Sequence, residues 1–128
     1  MSINKKARKI YVVDDQKSEM IAILSFLRRI PKSMASGFEN LDKLYAAILE
    51  DQPTAIVCDE TLQAGRRGSE VLTFLEEKGL DIPVVIVSGS EDVVRNLQSV
   101  GIEACVKPID KIEQNMFISF VQSVIKEA

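Results

Sequence analysis

Short apolar runs alternate along this chain with longer stretches in which hydrophobic residues recur every three to four positions. Residues 9–14 (KIYVVD) form a β-branched run bounded by charge, too short for a helix and suited to a strand buried on both faces. From 17 to 30, Met20, Ile21, Leu24, Leu27 and Ile30 mark a helical face, with Asp14 or Asp15 placed to cap its start and Pro31 to end it. Residues 33–38 are a weak, small-residue strand. Asn40 then precedes Leu41, Leu44, Tyr45, Ile48 and Leu49, a second helical face closed by Pro53.

The same alternation continues to the end. Residues 54–59 read as a third strand, and 68–78 as a helix with Val71, Leu72 and Leu75 inward and Gly79 at its end. Residues 82–87 (IPVVIV) are a fourth strand, 91–100 a short helix opening after Ser90, and 103–106 a fifth strand. A last helix over 110–126 carries Ile112, Met116, Phe117, Phe120, Val121, Val124 and Ile125 at helical spacing. Five strand–helix units predict an α/β fold, a parallel sheet with helices on both faces, because each right-handed crossover must cover the sheet. In such sheets ligands bind beyond the carboxyl ends of the strands, where the strand order reverses.

Composition narrows the classes. At 128 residues, 46% hydrophobic and 27% charged, the chain suits one soluble domain over 1–128, with a basic flank at 1–8 and a core at 9–126. A net charge of −3 argues against direct nucleic-acid binding, so Lys5, Lys6, Arg8 and Lys9 read as a solubilising flank. No stretch is apolar enough for membrane insertion or for a cleavable leader. Cys58 and Cys105 lie inside apolar runs, as small core residues do, so a reduced, cytoplasmic protein is expected. Histidine is absent, which removes histidine acid–base chemistry, histidine metal ligands and a phosphohistidine on this chain.

The carboxyl ends of the predicted strands collect unusual chemistry. The first ends in Asp14-Asp15, the third in Asp59-Glu60, the fourth in Ser88-Gly89-Ser90 and the fifth in Lys107-Pro108. Singly, paired acids after a strand are more often a helix cap, a Ser-Gly a turn, and a terminal lysine a solvated end. Their convergence on one edge carries the weight. Crowded carboxylates raise one another's pKa unless a cation enters, and Mg²⁺ is a hard ion that takes oxygen ligands and binds phosphate oxygens. A carboxylate is also a nucleophile toward phosphorus, with Lys107 and Ser88 available to the phosphoryl oxygens.

This ordered set resembles the receiver domain of two-component response regulators. The family's aspartate pair is matched by Asp14-Asp15 in YVVDD, its phosphoacceptor by Asp59 in IVCD, its hydroxyl residue by Ser88 in VIVSG and its Lys-Pro by Lys107-Pro108. The resemblance spans residues 9 to about 126. It implies a flavodoxin-like sheet of order 2-1-3-4-5, and Mg²⁺ held by Asp15 and Asp59, with Asp14 acting through water and the Thr61 carbonyl as a further ligand. It also implies phosphorylation of Asp59 by a histidine kinase or a histidine phosphotransfer protein, engaging Ser88 and Lys107 and changing the surface around the fourth helix, fifth strand and fifth helix. A cis peptide before Pro108 is implied as well. The output is a contact with a downstream protein, and such a surface is compatible with a homodimer. The chain is then a signalling phosphoacceptor rather than an enzyme, beyond self-phosphorylation from small donors and self-dephosphorylation.

Three departures qualify the match. Residues 62–68 (LQAGRRG) lack the family's Met-Pro-x-Met-x-Gly and reach their glycine one residue late, so this loop is expected to be longer and looser, with Arg66 and Arg67 solvated or, as the less favoured reading, meeting an acidic partner or the phosphoryl group. Ala104 stands where the family carries a switching Tyr or Phe, and Gly89 follows Ser88 in place of a small side chain. A receiver-like interaction module that no longer uses phosphate is therefore the alternative reading. A phosphatase resembling the haloacid dehalogenase group is disfavoured, since Thr61 occupies the place of its second acid.

Overall fold

The computed structural model describes residues 8–126, and within them strands and helices follow the expected alternation. β1 spans Arg8–Val13, β2 Ser33–Phe38, β3 Ala55–Asp59, β4 Val84–Ser88 and β5 Ala104–Val106. α1 spans Lys17–Leu27, α2 Leu41–Glu50, α3 Glu70–Lys78, α4 Glu91–Ser99 and α5 Lys111–Lys126, with a short 3₁₀ turn at Gln63–Gly65. All pairings are parallel and the order is β2-β1-β3-β4-β5, the flavodoxin-like arrangement. The order reverses at β1, which opens a crevice beyond the carboxyl ends of β1 and β3.

The apolar runs of β1, β3 and β4 are continuous because these strands are covered on both faces. Tyr11, Val13, Ile56, Cys58, Val84 and Ile86 face one core, which α2, α3 and α4 complete through Leu44, Ile48, Val71, Leu75 and Val94. Ile10, Val12, Ala55, Val57, Val85 and Val87 face the other, completed by Ile23 and Leu27 of α1 and Phe117, Val121 and Ile125 of α5. Cys58 belongs to the first core and Cys105 packs against the second, so the sheet separates two free thiols. Burial pushes the Cys105 thiol up to about 12 and the Cys58 thiol upward too, which leaves both protonated and inert.

The expected ends hold where a cap fixes them. Asn40 Oδ1 accepts from the Lys43 N–H at 2.9 Å, Ser90 Oγ accepts from the Val93 N–H at 3.3 Å, and Gly79 closes α3 with a φ of 66°. Elsewhere the pattern misleads. α1 stops at Leu27, before Pro31, and leaves through tight turns (Arg29 N–H to Phe26 O, Ile30 N–H to Leu27 O), and the Leu27 and Ile30 carbonyls also accept from Ser33 Oγ. Ile21, Leu49, Ile112 and Met116 are exposed, whereas Ile23 and Ile118 are buried. One face of each helix has room for about half its apolar residues, and those at neighbouring positions turn outward. The basic flank ends earlier than expected: Arg8 already lies in β1, its N–H donating to Lys32 O at 2.7 Å, while Lys5 and Lys6 lie outside the described residues.

Ile48 is fully buried and its neighbour Leu49 is 59% exposed. Ile48→Ala is expected to cost about 2–5 kcal/mol and Leu49→Ala less than about 0.5 kcal/mol, as urea unfolding will show.

Candidate functional site

Parallel pairing fixes which side chains meet at the edge. Val13 pairs with Cys58, so the next residues, Asp14 and Asp59, leave adjacent strands side by side. Asp59 pairs with Val87, which places Ser88 one step beyond it. The Lys107 N–H donates to Ser88 O at 2.8 Å and carries Lys107 past the end of β4.

The carboxylates are deeply placed: Asp14 is 1% exposed and Asp59 4%. Asp59 Oδ1 accepts from the Thr61 N–H at 3.2 Å, and Oδ2 accepts from Lys107 Nζ at 2.9 Å. Asp14 Oδ1 accepts from the Gln16 N–H at 2.8 Å in a turn before α1; the helix itself opens at Gln16 with no side-chain cap, correcting the expectation that Asp14 or Asp15 caps it. Asp14 Oδ2 is a buried oxygen with no hydrogen-bond partner, and Lys107 Nζ lies 3.9 Å away. Burial, with the Asp59 charge adding to it, pushes the Asp14 carboxyl up to about 6 against the pull of the Gln16 amide. Oxygens of Asp14, Asp15 and Asp59 lie within 4.8 Å of one another, a set able to hold a metal ion. Burial works to lower the Lys107 ammonium's pKa, but hydrogen bonds to Glu19 and Asp59 outweigh it and hold it above the ordinary value.

Solved structures share this architecture. A response regulator receiver protein from Pseudoalteromonas atlantica is 20% identical and superposes with a TM-score of 0.69, covering 93% of this chain and 98% of its own. The receiver domain of a Francisella response regulator is 20% identical with a TM-score of 0.76, covering 94% and 98%. The chemotaxis protein CheY4 of Vibrio cholerae is 16% identical with a TM-score of 0.74, covering 91% and 98%. The fold is that of response regulator receiver domains. No protein-family model and no curated protein matches the sequence, so the chemistry of this receiver fold rests on its own side chains.

The structure brings Asp14, Asp15, Asp59 and Lys107 together, with Ser88 buried at the adjoining strand end. Ser88 Oγ accepts from the Ser90 N–H at 3.1 Å, which leaves its own proton free to donate. Thr61 and Arg67 form an antiparallel bridge through Leu62 N–H to Arg66 O and Gly68 N–H to Glu60 O, and the Thr61 carbonyl stays outside that ladder. The loop is therefore a closed hairpin, correcting the expectation of looseness. Its tip takes left-handed conformations at Ala64 and Gly65, and Arg66 is tied to Glu70 at 2.9 Å and to Asp42 at 3.8 Å. Arg67 is exposed, as expected of a solvated residue.

The peptide before Pro108 is trans, as is every described peptide bond, correcting the expected cis bond. Trans is the lower-energy isomer even before proline, and with it Lys107 already reaches Asp59. One acid escaped the sequence reading, and another serves a different role than its place at the edge suggested. Glu19, in the first turn of α1, forms an ion pair with Lys107, and Glu60 turns away from Asp59 to accept from Ser69 N–H at 2.9 Å and Ser69 Oγ at 3.1 Å. The first turn of a helix after β1 faces the same edge as the strand ends, and that signal would have found Glu19.

Gly68 touches the Asp59 backbone so closely that a Cβ there would overlap the Asp59 carbonyl. Gly68→Ala is expected to destabilise the fold by about 1–3 kcal/mol in urea unfolding, whereas Gly89→Ala, whose Cβ meets nothing within 4 Å, leaves it near wild type.

Proposed function

We propose that this chain is a single receiver domain that accepts a phosphoryl group on Asp59 from a histidine kinase or a histidine phosphotransfer protein, and signals from the cytoplasm by protein contact. The reading is carried by the 2.9 Å contact between Lys107 Nζ and Asp59 Oδ2 inside a cluster of three aspartates, two of them buried. An Asp59 carboxylate oxygen attacks phosphorus. The new O–P bond forms as the N–P bond of the donor phosphoimidazole breaks, its electron pair returning to the ring nitrogen, where a proton from water follows. Lys107 donates to a phosphoryl oxygen once Asp59 Oδ2 no longer claims it, and the Ser88 hydroxyl donates to another. The product leaves through self-hydrolysis or onward transfer.

The unpartnered Asp14 Oδ2 and the clustered aspartate oxygens fit a hard divalent cation, and Mg²⁺ would be held by Asp14, Asp15, Asp59 and the Thr61 carbonyl. When bound it supplies charge neutralisation for the phosphoryl oxygens. The phosphate-independent interaction module keeps one point in its favour, a groove of about 430 Å³ beside Ala104, lined by Val94, Val106, Met116 and Phe117, where no aromatic of this chain turns inward from position 104.

Incubation with acetyl phosphate and Mg²⁺ is expected to add one phosphate-sized mass to the intact protein, absent from Asp59→Asn. No adduct on wild type turns the assignment to the interaction module. Mg²⁺ is expected to raise the thermal midpoint of wild type in the concentration-dependent way of any ligand that binds only the native state. Chelation reverses the rise, and Asp15→Asn reduces it.

A further inference from the structure

Glu19 lies outside the aspartate cluster, yet it holds the same ammonium. Lys107 Nζ donates to Asp59 Oδ2 and to Glu19 Oε1, and faces Asp14 Oδ2 at 3.9 Å. The three carboxylates differ in setting: the side chains of Asp14 and Asp59 are 0% and 4% exposed, that of Glu19 46%. The Glu19–Lys107 pair lies in a groove of about 300 Å³ between α1 and the segment after β5, walled by Ala22, Ile23, Phe26, Pro108 and Ile109. A cation held by the aspartates would offset their charges, whereas Glu19, outside that cluster, has Lys107 as its counter-ion.

We infer that Glu19 is a positioning residue that competes with an incoming phosphoryl group for the ammonium of Lys107. This rests on the phosphoacceptor reading above. Before phosphorylation Glu19 draws Lys107 toward solvent and occupies one of its three donors. A phosphoryl dianion arriving at Asp59 must take the ammonium while an added negative charge sits on its far side. Glu19 thereby disfavours the phosphorylated state and shortens its life. Because the pair is open to water, the effect is moderate and screened by salt.

The test compares wild type with Glu19→Gln, which keeps the shape and loses the charge. Inorganic phosphate is titrated in the presence of Mg²⁺, with amide resonances of Ser88 and Lys107 as the reporter. Glu19→Gln is expected to bind phosphate about three- to tenfold more tightly at low ionic strength, the gap closing as salt rises. In a Lys107→Ala background the same substitution should yield a much smaller gain, since the competition runs through that ammonium. The adduct formed from acetyl phosphate should also persist longer in Glu19→Gln. Equal or weaker phosphate binding by Glu19→Gln, or none by either protein, overturns the inference; weaker binding would make Glu19 a prop that holds Lys107 in place. Absence of an acetyl phosphate adduct on wild type overturns the phosphoacceptor reading instead, while the phosphate affinities still decide the role of Glu19. A half-exposed residue of α1 is replaced, so unfolding midpoints should match and exclude a folding effect.

Discussion

The ammonium of Lys107, held 2.9 Å from Asp59 with Asp14 close behind, is the cation against which the carboxyl edge of the sheet is built. Burying Asp14 with so little solvent costs free energy, and burial, with the neighbouring Asp59 charge adding to it, pushes its carboxyl upward. Lys107 offsets part of that cost, and it can do so only because β5 pairs with β4 and releases the chain at the right level, through its own N–H to Ser88 O. The site is thus a property of strand register. Sliding β5 by one residue would send the lysine to the other face of the sheet and leave the acids alone.

Much of this was legible in the chain because the signals were local and redundant. Continuous apolar runs ending in charge announced buried parallel strands, and Asn40, Ser90 and Gly79 marked helix ends through chemistry that acts within one turn. The cluster of Asp14, Asp15 and Asp59 with Lys107 followed from topology alone, since the strands of a parallel sheet all present their carboxyl ends to one edge. What stayed hidden depended on contacts distant in sequence. Ile112 and Met116 look as apolar as Phe117, and only the packing of α5 on the sheet decides which of them is buried. Glu19 pairs with a lysine 88 positions away, and only its place in the first turn of α1 hints at that partnership.

The segment after Asp59 illustrates a different failure. A missing proline and an extra residue suggested slack, yet the chain spends its length on a hairpin whose bridge, left-handed tip and Arg66–Glu70 pair leave little freedom. Glu60, counted with the acids of the edge, instead binds both the amide and the hydroxyl of Ser69 and fastens the hairpin to the start of α3. Rigidity came from hydrogen bonds that no composition rule reports. The loop that departs most from the receiver pattern is therefore a fixed wall beside the aspartates.

The sheet is one residue thick, and its alternate side chains serve different cores: Val57 belongs to the α1 and α5 side, Cys58 to the side of α2, α3 and α4. With the two thiols on opposite sides, no covalent tie joins these layers. Each layer is therefore the other's scaffold, because peeling away either set of helices would wet one face of every strand and loosen the ladder that supports the remaining set. Asp59 stands at the end of the strand shared in this way. Its position is settled jointly by the helices of both layers, and a disturbance on either side of the molecule reaches Asp59 through the backbone it occupies.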